Sequence, residues 1–152
     1  MLIRILFTLA LTLGLAAPAL AIGSSDSPRQ PREHSDALKA MQAGEYGRAV
    51  KLLETVVAKE PRNADAWNNL GYSERQQNHF DKSLAAYRRA LTINPDHRGA
   101  NEYLGELYLQ TGDLAQARRQ LEKLNSLCPR GCEEADDLSK AVRAYQAAHP
   151  NR

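Results

Sequence analysis

The chain has 152 residues, with 20 Lys and Arg against 18 Asp and Glu and a formal net charge of +2. So even a balance provides no concentrated basic face of the kind that nucleic acid requires, so nucleic acid is not an expected partner. The length suits one domain preceded by a short appendage, and the four histidines show no spacing that would supply the four ligands of a zinc site.

Residues 1–21 differ from the rest. Arg4 gives a short positive start, Ile5 to Leu15 form an almost wholly apolar run, and Ala19-Leu20-Ala21 places small residues where a signal peptidase reads. The expectation is a leader cleaved after Ala21 and a mature protein in a bacterial periplasm. An uncleaved anchor is the alternative, but the apolar run falls short of the roughly 20 residues a spanning helix needs. No stable membrane insertion is therefore expected after cleavage. No cysteine stands near the cleavage point, which argues against a lipid anchor. Residues 22–32 include Gly-Ser-Ser-Asp-Ser-Pro-Arg-Gln-Pro, a composition that buries no core and reads as a disordered linker.

Beyond it the chain repeats. Pro61, Pro95 and Pro129 recur every 34 residues, and the same step carries Ala37 to Gly71 to Gly105, Leu70 to Leu104, and Leu53 to Tyr87 to Leu121. A fixed period of this size marks stacked units rather than one wrapped core. Leu104, Leu107 and Tyr108 recur with helical spacing. Gly44-Glu45, Asn78-His79 and Gly112-Asp113 interrupt each unit at one place, where Gly and Asn accept the left-handed conformation that ends a helix and Asp113 suits an N-cap. Each repeated proline then disfavours helix in the residue before it. The pattern predicts helical hairpins over about 33–60, 63–93 and 97–127. A further helix over 133–148 carries the apolar stripe Leu138, Val142 and Tyr145, and its acidic start, Glu133, Glu134, Asp136 and Asp137, complements the helix dipole.

Within the middle unit, Trp67, Leu70, Gly71, Tyr87, Ala90 and Pro95 occupy positions 4, 7, 8, 24, 27 and 32. This arrangement resembles the tetratricopeptide repeat, over about 30–148. The resemblance implies an all-α fold: a right-handed α-solenoid of three helical hairpins, with repeats at about 30–63, 64–97 and 98–131, plus a C-terminal capping helix at 133–148, the domain as a whole spanning 33–148. Large residues at positions 4, 7, 11 and 24 would pack the helices, and small ones at 8, 20 and 27, such as Gly105, Ser83 and Ala117, would let them approach. Glu33 and Asp36 depart from this pattern in the first unit, as a terminal repeat with a polar face would.

The resemblance also implies a concave groove lined by the first helix of each hairpin. Its partner-binding residues would be Asn68, Asn69, Tyr72, Arg75 and Gln76 with Asp65 in the second unit. In the third they would be Glu102, Tyr103, Glu106 and Gln110 with Gly99 and Leu109, and in the first Pro31, His34, Leu38, Met41 and Gln42. Tyrosine, arginine and amide side chains on a rigid frame suit an extended peptide or a partner helix. Chaperone-binding members grip a terminal carboxylate with basic and Asn side chains. The matching positions here hold His34, Leu38, Asn69, Gly99 and Tyr103, of which only Asn69 fits.

Cys128 and Cys132 flank Pro129-Arg130-Gly131 and suggest one disulfide in an exported chain. A redox dithiol, which usually has two intervening residues, and a metal role remain alternatives. No phosphate loop, nucleophile elbow or His-Glu-x-x-His is present, and His79 and His97 fall at helix junctions as solvated or capping residues. The expected function is a non-catalytic, cofactor-free adaptor that binds a protein or peptide in the groove. A periplasmic thiol-disulfide or metal-handling factor, and a structural subunit of an envelope or cytochrome-assembly complex, are the alternatives. Partner identity and oligomeric state are not written in the sequence.

Overall fold

The computed structural model describes residues 32–150. The expected leader, the linker up to residue 31 and the groove position Pro31 lie outside the described residues. Seven helices follow in order: α1 (Arg32–Gln42), α2 (Tyr46–Lys59), α3 (Ala64–Gln76), α4 (Phe80–Ile93), α5 (Arg98–Gln110), α6 (Leu114–Leu127) and α7 (Glu133–Ala148). Arg32, assigned to the linker from sequence, opens α1.

The three internal breaks share one geometry. Gly44 (φ 73°), Asn78 (φ 61°) and Gly112 (φ 86°) are left-handed. At each, the following amide reaches five residues back, Glu45 to Ala40, His79 to Glu74 and Asp113 to Tyr108, at 2.8, 3.0 and 2.7 Å. That pairing is the Schellman motif, which satisfies carbonyls that a helix end would otherwise leave open. Second helices end just before the repeated prolines, at caps Glu60, Asn94 and Cys128. Fresh N-caps restart the chain: Asn63 Oδ1 accepts from Ala66 N (2.9 Å), His97 Nδ1 from Ala100 N (3.1 Å) and Asp113 Oδ1 from Gln116 N (3.0 Å).

Each helix packs on the next, and α1, α3, α5 and α7 also touch one another in series. Among the described residues α2, α4 and α6 make no such mutual contacts, so the first helices form the inner, concave face and the second helices the outer one. The result is a helical solenoid whose core is a relay of small clusters, the quasi-one-dimensional packing expected of repeats. Position 4 shows how units are joined. Trp67 Nε1 donates to the Pro61 carbonyl at 3.2 Å, and Asn101 Nδ2, one unit later, donates to that of Pro95 at 3.3 Å. An indole and an amide thus do the same work. Glu33, at position 4 of the first unit, instead pairs with Lys59 at the end of α2, and this pairing holds its carboxyl below the usual range.

The two repeat glycines seat different neighbours. A Cβ on Gly71 would stand 2.6 Å from Tyr87 Cδ1, on α4 of the same hairpin. A Cβ on Gly105 would stand 2.5 Å from Leu138 Cδ2, on α7. The second glycine therefore admits the capping helix.

Cys128 and Cys132 are bonded across the turn between α6 and α7, their Cα atoms 5.8 Å apart. Closing so short a loop restricts the unfolded chain by about 2 kcal/mol in the chain-entropy account. Replacing both cysteines with serine should lower stability in urea by that amount at unchanged helix content. A loss near zero would mean that α7 is held by its packing alone.

Candidate functional site

On the concave face, α3 and α5 bring most of the expected groove residues together. Arg75 is buried, and its guanidinium lies 2.7 Å from the Glu106 carboxylate. It also sits over the Tyr72 and Tyr103 rings, 5.5 and 5.7 Å from their centroids, close enough for cation–π attraction. Those rings are 5.2 Å apart, and the row continues to Tyr46 on α2 (6.0 Å from Tyr72) and Tyr87 on α4 (6.3 Å from Tyr103). Burial raises the Tyr72 hydroxyl above its ordinary range, helped by the Tyr46 hydroxyl beside it. Burial raises Tyr103 too, helped by Glu102. Arg75, expected as a groove contact, is thus committed to partners within the fold.

Two cavities flank this row. One, of about 350 Å³, is lined by Met41 of α1, Asn68, Asn69 and Tyr72 of α3, Gly99, Glu102 and Tyr103 of α5, and Glu133, Glu134 and Asp137 of α7. The other, of about 660 Å³, is lined by Arg75, Glu106, Leu109, Gln110, Ala141, Tyr145 and His149 among others. The rings of Tyr145 and His149 stack there at 4.1 Å. Of the expected groove residues, Gln76 is exposed and borders neither cavity. Asn69 Nδ2 lies 3.4 Å from Nε2 of His34, which is buried.

Glu102 has the most perturbed carboxyl on this face. Burial pushes its pKa up to about 7, with the charges of Glu106, Asp137 and Glu134 adding to the rise and Arg75 opposing it. The neighbouring cations are engaged elsewhere: Arg75 with Glu106, Arg98 with Glu134 (3.4 Å) and Lys140 with Asp137 (2.8 Å).

The acidic side of the cavity was not anticipated as part of the groove. The signal was present, because one more step of 34 residues from Gly99 and Tyr103 lands on Glu133 and Asp137. Also unanticipated is Glu74, whose buried carboxylate occupies the large-residue position 11 and pairs with His79 Nδ1 at 2.6 Å. It ties the end of α3 to the start of α4. Among the described residues no three His, Cys, Asp or Glu side chains are grouped to hold a metal ion. No described helix is long and apolar enough to cross a membrane.

A family model described as tetratricopeptide repeat matches residues 36–96 and 69–124. The chain is 30% identical over 107 residues to Protein FlbA of Caulobacter vibrioides, an alignment that spans 70% of this chain and 18% of that protein. The fold is similar to the type III secretion translocator chaperone SycD of Yersinia enterocolitica, with a TM-score of 0.71 at 19% identity, covering 78% of this chain and 84% of that one. The same chaperone in complex with a peptide of the translocator YopD matches at a TM-score of 0.67 and 21% identity, covering 77% and 88%.

Proposed function

The chain belongs to the tetratricopeptide-repeat family, and on that premise we propose that it is a non-catalytic adaptor that holds an extended segment of a protein partner against its concave face. One observation carries the reading: a cavity of about 350 Å³ to which all four inner helices contribute side chains. A site assembled from successive units suits a chain running along the stack and reading several pockets in turn. The similarity to a chaperone seen with a translocator peptide supports a protein segment as the partner. We place the protein outside the cytoplasm, on the leader-like pattern of residues 1–21 and the bonded Cys128 and Cys132.

Gly99 offers a clean test. A Cβ there would meet only ordinary contacts, 3.6 Å from Asn68 Nδ2 and from His97 Cε1. A side chain can therefore be added on the wall of the cavity without a forced clash at its Cβ. Peptides selected from a random library on the wild-type chain should bind Gly99→Leu at least tenfold more weakly, with the melting temperature unchanged. Their amide shift changes should map to α1, α3, α5 and α7. Shift changes confined to α2, α4 and α6, with full affinity for Gly99→Leu, would place binding on the outer face and refute the groove.

A further inference from the structure

We infer that the cavity between α3, α5 and the start of α7 is a subsite for a cationic side chain, lysine or arginine, of the bound segment. This rests on the groove reading above and names what the groove prefers.

The carboxylates of Glu102, Glu133, Glu134 and Asp137 all border this space. The three acids of α7 alone would be an ordinary solvated face, but Glu102, brought to them from α5, points to a missing cation. Glu102 is 9% exposed and none of the ion pairs among the described residues includes it. It borders the open space, and no N–H donor among the described residues reaches its carboxylate.

The shape selects the kind of cation. The carboxylates are not grouped for a metal ion, yet they ring a space of about 350 Å³. The Tyr72 and Tyr103 rings border it, apolar surface on which an aliphatic stem lies while its charged head reaches the acids. Gly99, on the wall of this space, puts no side chain into it. A terminal carboxylate, the ligand of chaperone-binding members, would meet like charge here.

Protonation gives a signature. The groups facing Glu102 are Glu106 and Tyr103 on its own helix, Asn68, Tyr72 and Arg75 on α3, and Glu133, Glu134 and Asp137 on α7. Its value of about 7 lies above the ordinary 4.5, so its ionisation costs the folded state stability as pH climbs through that window. A bound cation offsets the cost and expels a proton. Affinity for a cation should therefore rise roughly tenfold between pH 6 and pH 8.

The experiment is an amide-shift titration of the full chain with N-acetyl-lysine amide and N-acetyl-arginine amide, using the norleucine and citrulline analogues as neutral controls. The cationic amides should shift Asn68, Gly99 and Asp137, and the controls should not. Glu102→Gln and Asp137→Asn should each weaken the cation at least tenfold, and Glu102→Gln should abolish its pH dependence. Glu102→Gln removes a buried charge, so its melting temperature at pH 8 should not fall. Equal binding of neutral and cationic amides, or the same shifts produced by calcium chloride, would overturn the assignment. Library peptides that bind the groove without Lys or Arg would overturn it too while leaving the groove intact. Cationic amides that bind while no peptide does would instead refute the groove reading.

Discussion

Tyr87→Ala should remove about 3–5 kcal/mol of stability, the range for truncating a buried aromatic side chain. Tyr87 is fully buried, and its ring lies where a Cβ on Gly71 would stand 2.6 Å from Cδ1 and 2.7 Å from Cε1. The inner and outer helices of the middle hairpin are therefore interlocked, α4 supplying the ring and α3 the missing side chain. The Ser83 hydroxyl, donating to the Gly71 carbonyl at 2.8 Å in the buried interior, holds the two backbones at that separation. Gly71→Ala should then cost about 1–3 kcal/mol by overpacking. In the Tyr87→Ala background the sign should reverse, since the space is empty and alanine favours helix by about 1 kcal/mol. Urea unfolding of the four proteins closes the cycle. Equal costs for Gly71→Ala in both backgrounds would show that the glycine serves some purpose other than seating the ring.

Much of this fold can be read from the sequence because repetition amplifies weak local signals. One left-handed glycine proves little; Gly44, Asn78 and Gly112 at a fixed step, each followed by a proline about 17 residues on, fix where α1 to α6 stop. Asp113 caps as its chemistry suggests, and His97 caps with a ring nitrogen. The site is less legible, because register says which face a residue occupies and not what meets it there. Arg75 stands at a groove position, yet Glu106, 2.7 Å away on the neighbouring helix, and two tyrosine rings claim its guanidinium. A variant that removed Arg75 to test binding would disturb packing as well. Glu133 and Asp137 read locally as helix-start charges, a role compatible with the dipole. Only the stacking of α7 against α5 brings them to the cavity beside Glu102.

That stacking depends most on Leu138, and Leu138→Ala should cost about 3–5 kcal/mol, the upper part of the range for buried leucine truncation. The side chain is fully buried, and it fills the space that Gly105 leaves open, with Cδ2, Cδ1 and Cγ 2.5, 2.8 and 3.2 Å from where a Cβ would be. Gly105 cannot close in on the void, since it has no side chain to move, and α5 is packed against α6 as well as α7. The cavity therefore persists, which is the condition for a large penalty. Against a total stability of about 5–15 kcal/mol for a domain of ordinary size, the loss falls first on α7. That helix ends the described stack and packs only on α5 and α6. Amide exchange in Leu138→Ala should accelerate across Glu133–Ala148 before it does in α3 and α4. The bonded cysteines keep the freed helix tethered at Cys132, so helix α6 should retain its protection. Because α7 carries Glu133, Glu134 and Asp137, the same variant should also lose cation binding at neutral pH even where most of the chain stays folded. Uniform exchange throughout the chain would show instead that the seven helices unfold as one unit. Protection of α7 at wild-type levels would refute the role assigned to the Gly105–Leu138 contact.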